Sequence, residues 1–179
     1  MKIFKIFKSL FLAIFCFLMT NVYAQGKFFN PSDSTANVGA EYKITFFTGF
    51  EEHLVRQHKL LETDAIADFM KRNKTVCIEI GSHSDFRGNE AQNIVLTEKR
   101  AKTWRNYIIE KGIDSTRITA VGYGSTQPSL VDSLMSCRYD FLPRNTELSR
   151  EFIQLLSTVQ EQEVAHQINR RTIIKIIKK

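Results

Sequence analysis

Asp85 and Arg100 stand fifteen residues apart in the stretch GSHSDFRGNEAQNIVLTEKRA, residues 81–101. The stretch reads as the end of a strand, a polar turn built from Ser84, Asp85, Arg87 and Gly88, and a long helix. Within that helix Asn93, Leu96 and Arg100 fall at i, i+3 and i+7, along one stripe. A carboxylate in the turn can accept from an ammonium, and a guanidinium fork can hold a carboxylate through two parallel bonds. Together they could grip a ligand carrying both groups. Backbone N–H groups of the turn could meet a carboxylate as well. Each residue also has a plainer use. Asp85 can bond nearby backbone amides as a turn former. Arg100 can be a surface ion-pair partner, worth at most about 1 kcal/mol, and Leu96 can simply pack in the core.

The elements that must position these residues follow from local patterns. Tyr42 to Phe50 is aromatic and β-branched, hence a strand. Leu54 to Asn73 carries a helical stripe of Leu61, Ala65, Ile66, Phe69 and Met70. Thr75 to Ser82 alternates Val76, Ile78 and Ile80 against Cys77 and Glu79, a half-buried strand. The site helix is expected from Asn89, its N-cap, to Lys111, with Gly112 as the stop and a core stripe of Ile94, Ala101, Trp104 and Ile108. Arg117 to Tyr123 and Thr172 to Ile177 supply two more strands. Strands alternating with helices imply an α/β fold, an α+β sandwich with helices packed on a sheet.

Residues 129–165 stand out as an insertion between the last two strands. Thr146 to Val159 carries Leu148, Phe152, Leu155, Leu156 and Val159 at helical spacing, which predicts a third helix. Ser129 to Arg144, with Cys137, Tyr139, Phe141 and Pro143, reads as a loop bordering the site or a partner surface.

Composition narrows the function classes. Lys2, Lys5 and Lys8 precede the apolar run Leu10 to Met19, and Val22-Tyr23-Ala24 supplies an export-type cleavage context before Gln25. The apolar run is short for a membrane span, which needs about 20 residues, so contact with a membrane is expected only if the signal stays uncleaved. Removal of residues 1–24 would take three lysines and no acids from a formal charge of +6, leaving +3 on 155 residues, one domain's worth. No nucleic-acid partner follows from that balance. Residues 25–41, rich in Asn, Ser, Gly and Ala, read as a flexible linker. Cys77 and Cys137 could close one disulfide, worth roughly 4 kcal/mol in the chain-entropy model, or could be two separate small apolar residues. His53, His58, His83 and His166 lack metal-ligand spacing. Gly122-Tyr123-Gly124-Ser125 lacks the flanking residues of a phosphate loop or nucleophile turn. Neither a cofactor nor an enzymatic activity is expected.

Three ordered blocks carry a family resemblance. Ser84-Asp85 with Gly88, then Asn93, Leu96-Thr97 and Arg100-Ala101, is similar to the C-terminal domain of OmpA, shared with Pal and MotB. Gly112 to Pro128, GIDSTRITAVGYGSTQP, resembles a second family segment, and His166 to Ile176, HQINRRTIIKI, resembles the closing strand. The resemblance implies a β-α-β-α-β-(α)-β order with helices on a four-stranded mixed sheet, over residues 42–179. It implies non-covalent binding of peptidoglycan in the periplasm, with outer-membrane association open. Asp85 would receive the amine of diaminopimelate in the wall's stem peptide, and Arg100 would hold a carboxylate. Asn93, Ser84, Arg87, Gly88 and Leu96 would complete the pocket, with one of Arg170 and Arg171 facing the ligand. Where many relatives carry an acid at the end of the first strand, this chain has Phe47-Thr48-Gly49. The alternative is a scaffold module whose wall binding is lost or weakened, meeting other envelope proteins through residues 129–165. An exposed apolar patch around Phe141, Leu142 and the insertion helix would favour it.

Overall fold

The computed structural model describes residues 28–44 and 52–179, the first turns of the first helix by backbone alone. The elements run β1 (Glu41–Ile44), α1 (Glu52–Arg72), β2 (Cys77–His83), α2 (Glu90–Glu110), a 3-10 turn (Ser115–Arg117), β3 (Ile118–Gly124), α3 (Ser133–Arg138), α4 (Arg150–Gln154), α5 (Val159–Asn169) and β4 (Thr172–Lys178). They form a four-stranded mixed sheet in the order β1-β4-β2-β3. β2 and β3 are parallel, while β4 runs antiparallel to both β1 and β2. The last strand to be made thus sits inside the sheet, directly beside the strand that leads into the turn at Asp85.

One face of the sheet carries the main core. Ile78 and Ile80 of β2 and Ile174 and Ile176 of β4 meet Ile66, Phe69 and Met70 of α1 and Trp104 and Ile108 of α2, all buried. Each fully buried side chain of this size stabilises by about 1.5–3 kcal/mol. Arg117 ties the end of α1 to the sheet, with Nε donating to the Val76 carbonyl at 2.9 Å and a terminal nitrogen donating to the Met70 and Asn73 carbonyls at 3.0 and 2.8 Å. These are among the orphan carbonyls that any helix end must place.

The boundaries of α2 are the predicted ones. Asn89 caps it by accepting from Gln92 N–H, and Gly112 beyond its end takes φ +89°. Its core stripe differs at one position. Ile94 is 37% exposed, and Thr97 takes the buried place, its hydroxyl donating to the Asn93 carbonyl at 2.8 Å and accepting from Gly124 N–H at 3.0 Å. The reason lies across the interface. A Cβ on Gly122 would stand 2.7 Å from Glu98 Cα and 2.8 Å from the Ile94 carbonyl. Two backbones that close leave no room for an isoleucine between them.

Other expectations are corrected. Residues 28–40, read as part of a flexible linker, pack on the core: Phe29 is buried and its ring lies 5.1 Å from Phe69 and 5.9 Å from Tyr42, with Ala36 and Ala40 also buried. An aromatic beside small residues was enough to dock the segment. Glu41, the last residue of that linker, opens β1, while residues 25–27, the export signal and residues 45–50 of the expected first strand, Thr48 among them, lie outside the described residues. The third helix expected over Thr146 to Val159 is instead the short α4 followed by a separate α5, and the segment Ser129 to Arg144, expected as a loop, contains α3. Leu155 and Val159, 83% and 76% exposed, flank the break, because Thr158 restarts the chain as an N-cap in a reciprocal capping box with Glu161. The insertion builds its own core from Val131, Leu142, Leu148, Ile153 and Ala165, with Phe141 and Phe86 packed against it. Leu142 is therefore buried and Phe141 half-buried, which removes both from the expected surface patch. Cys77, half-buried where β2 begins, and Cys137, exposed on α3, are free thiols rather than a disulfide. Among the described residues no helix is long and apolar enough to cross a membrane.

Candidate functional site

The turn at Asp85 is suspended between neighbours of β2. His83 N–H donates to the Arg171 carbonyl and Ser84 N–H to the Gly124 carbonyl, both at 2.8 Å. Asp85 Oδ1 then accepts from Arg87 N–H at 3.0 Å, the local bond of a turn aspartate. Gly88 closes the turn at φ +84°, a conformation in which a side chain would be strained. Asn93 Nδ2 donates back to the carbonyls of Asp85 at 3.3 Å and Arg87 at 3.0 Å. Asn93, expected as a polar contact to a ligand, is here the lock that joins turn to helix.

Asp85 is buried, and its Oδ2 is the centre of a charge network. Arg87 donates to it from Nε at 3.1 Å and Nη2 at 2.7 Å, and Arg170 Nη1 bonds the same oxygen. Glu163 of α5 bridges the two arginines, accepting from each at 2.8 Å. His166 lies 3.9 Å from the carboxylate, buried, with Nδ1 unpartnered. Burial alone would raise the Asp85 pKa, yet the Arg87 side-chain and backbone bonds and the Arg170 bond outweigh it and hold the carboxyl below its ordinary value. The His166 pKa is lowered, first by burial and then by the Arg87 charge, so the ring favours its neutral form. Arg150 completes the support from α4, donating to the Phe86 carbonyl at 3.0 Å while its guanidinium lies 4.9 Å from the Phe86 ring centre.

Arg100 is different. It is half-buried on α2 and makes no hydrogen bond or ion pair among the described residues. Burial lowers its pKa first, the nearby Arg170 charge lowers it further, and Asp85 acts in the opposite direction. Asp85 and Arg100 therefore share one field without touching, and the carboxylate's direct partners are Arg87 and Arg170. Two acids (Asp85, Glu163) face three arginines (Arg87, Arg100, Arg170), and the cation left over is Arg100.

The remaining expected residues separate cleanly. Leu96 is 44% exposed at the surface of α2. Ser84 is buried with an unpartnered hydroxyl. Of the two closing arginines, Arg170 reaches Asp85, whereas Arg171 turns away and donates to the carbonyls of Asn169 at 3.2 Å and Gln127 at 3.0 Å. Asn169 is itself a buried staple: its Oδ1 accepts from Ser129 N–H and its Nδ2 donates to the Leu148 carbonyl, both at 2.8 Å. Sequence reasoning missed Glu163 and His166. Their only signal was a position one helical turn (His166) and two turns (Glu163) before Arg170.

The OmpA family model matches residues 51–133, which contain the turn, α2 and β3 but end before the closing block. Over these residues the chain is similar to the OmpA family. It is 32% identical over 79 residues to the outer membrane porin F of Pseudomonas fluorescens, covering 44% of this chain and 24% of that protein. It is 30% identical over 108 residues to the peptidoglycan-associated lipoprotein of Rhizobium meliloti, covering 60% of this chain and 59% of that one. The chain thus spans between about a quarter and three fifths of these two relatives. A crystal structure of the peptidoglycan-associated lipoprotein from Burkholderia pseudomallei aligns over 83% of this chain and 96% of that chain, at 17% identity and a TM-score of 0.47.

Proposed function

We propose that this chain is a member of the OmpA family that binds peptidoglycan non-covalently and holds or organises the cell envelope, recognising the diaminopimelate of the stem peptide. The observation that carries the reading is the half-buried guanidinium of Arg100 beside the Asp85 turn, unpaired among the described residues. A guanidinium in that position has its water partly stripped and no carboxylate to replace it, so an incoming carboxylate completes the site. The ligand's ammonium goes to Asp85 Oδ1, which accepts only the Arg87 N–H and retains a lone pair. Asn93 holds the turn in shape. The relative from Rhizobium meliloti bears the name peptidoglycan-associated lipoprotein, which supports the wall as the class of partner.

Binding does not require bond cleavage, and the groups around Asp85 suit that. A general acid near neutral pH needs a carboxyl pKa raised toward 7, whereas that of Asp85 is lowered. Residence in the periplasm, with or without attachment to the outer membrane, follows from a wall ligand and an export signal.

The test is co-sedimentation of the purified protein with diaminopimelate-type sacculi, alongside Arg100→Ala and Asp85→Ala. Charge-assisted bonds of this kind are worth about 1.5–3 kcal/mol, so Arg100→Ala is expected to weaken binding by one to two orders of magnitude. Unchanged pelleting of both variants would refute the assignment.

A further inference from the structure

Behind the sheet, on the face opposite α1 and α2, lies a cavity of about 680 Å³. The outward residues of all four strands floor it, and residues 127–133 with Met135, Arg144 and Asn145, mostly from the start of the insertion, wall it in. It is a different place from the Asp85 turn: Arg171 and His83 line it, while Arg170 and Asp85 do not. A volume of this size accommodates a small molecule or a few residues of a peptide.

Its polar groups are not matched among themselves. Lys43 of β1 makes no hydrogen bond or ion pair among the described residues, although it is half-buried. Arg171 uses donors on two carbonyls, two of the five a guanidinium carries. His83 is 3% exposed, stacked on Tyr123 with ring centres 5.0 Å apart, and its Nδ1 has no partner. The acids on the same walls are already engaged. Glu79 accepts from the Tyr123 hydroxyl at 2.7 Å, Glu41 faces Lys175 at 4.0 Å, and Asp132 caps α3 through Met135 N–H at 2.8 Å. Burial and the mutual repulsion of Arg171 and Lys43 push the Lys43 pKa down to about 8, against a weaker opposing pull from Asp132, so the cations stand closer together than they would choose.

We propose that this cavity is a second binding site, which takes the carboxylate of a small, partly apolar organic acid such as the C-terminus of a short peptide. Lys43 and the free edge of Arg171 receive the carboxylate. Leu130 and Phe28, 51% and 49% exposed at the rim, offer apolar contact to the rest of the ligand. The charge inventory selects a monoanion. Four cations (Lys43, Arg144, Arg171, Lys175) line the cavity against three acids (Glu41, Glu79, Asp132), an excess of one, and a phosphate dianion would overdraw it and face the acids. The site does not depend on wall recognition at Asp85, and it would stand if sacculi failed to bind.

The experiment titrates the purified protein with N-acetyl-alanyl-alanine, with the same dipeptide as its C-terminal amide, and with inorganic phosphate, following backbone amide shifts by NMR. The acid should bind, moving the amides of Tyr123, Leu130 and Arg171 and leaving Asn93 and Arg100 in place. Lys43→Met should weaken it at least ten-fold, and Arg100→Ala should leave it unchanged. Leu130→Asp, an exposed substitution that does not threaten the fold, should also weaken it several-fold by placing a like charge at the rim. Equal binding of acid and amide would overturn the proposal. So would tighter binding of phosphate, shifts confined to the Asp85 turn, indifference to both Lys43→Met and Leu130→Asp, or no shift at 10 mM acid, a weak-affinity limit.

Discussion

Asn169→Ala should detach the insertion from the sheet without melting the main core. The side chain is 2% exposed and serves two backbone groups at once, Ser129 N–H and the Leu148 carbonyl, each at 2.8 Å. Both of those residues are buried. Alanine leaves a donor and an acceptor without partners, and a buried unsatisfied group costs about 1–3 kcal/mol. Ser129 edges the cavity behind the sheet, so water can relieve part of its loss. The expected destabilisation is about 2–4 kcal/mol, which lowers Tm by roughly 5–15 °C for a chain of this size. Urea and thermal unfolding followed by circular dichroism measure it. Hydrogen exchange resolves where it falls: amides of Ser129, Val131 and Leu148 should lose protection well before those of Ile78 and Ile80. A loss below about 0.5 kcal/mol, or equal deprotection of β2 and the insertion, would refute the staple.

Three further predictions rest on other contacts. Gly122→Ala forces a Cβ to within 2.7 Å of Glu98 Cα, backbone against backbone, and should cost at least the roughly 1–3 kcal/mol of an overpacked core; a urea midpoint equal to the parent's would contradict the close approach. Asp85 titrates below its ordinary value of 3.8 in the folded protein, so its contribution is fully present above that pH and lost as pH falls through the lower folded value. Asp85→Asn should remove that part of the acid limb in a pH series of urea melts, and an unchanged limb would sink the assignment. Lys43 runs the other way: its folded pKa of about 8 lies below the unfolded 10.5, so the penalty for burying its charge is full below pH 8 and relieved as pH rises toward 10.5. Lys43→Met should abolish that rise in stability, and persistence of the rise in the variant would assign it to another group.

Local chemistry explains what could be read from the chain. The limits of α2 were legible because Asn89 and Gly112 act within one turn of themselves. β2 was legible because Ile78 and Ile80 face the helices while Glu79 faces away. Thr158 and Glu161 spell a capping box that would have placed the start of α5, but the apolar spacing of Leu155 and Val159 outweighed it. Ile94 was misread for a different reason. Its exposure follows from two glycines on β3, far away in sequence, which draw the helix backbone too close for a side chain. The site divides along the same line. The turn and Asn93 lie within one segment, whereas the meeting of Asp85 with Arg170 and Glu163 requires β4 to enter the sheet beside β2. The two closing arginines look alike in sequence, and only their places decide their partners: Arg170 caps α5, and Arg171 leads into β4.

The most direct test of wall recognition is calorimetric titration of the purified protein with two muropeptides that differ in one group. One carries diaminopimelate in the stem, and the other carries lysine, which keeps the ammonium and lacks the carboxylate assigned to Arg100. The account predicts that the diaminopimelate form binds at least ten-fold tighter and that Arg100→Ala erases the difference. Equal affinity for the two, or a preference that survives Arg100→Ala, would contradict it.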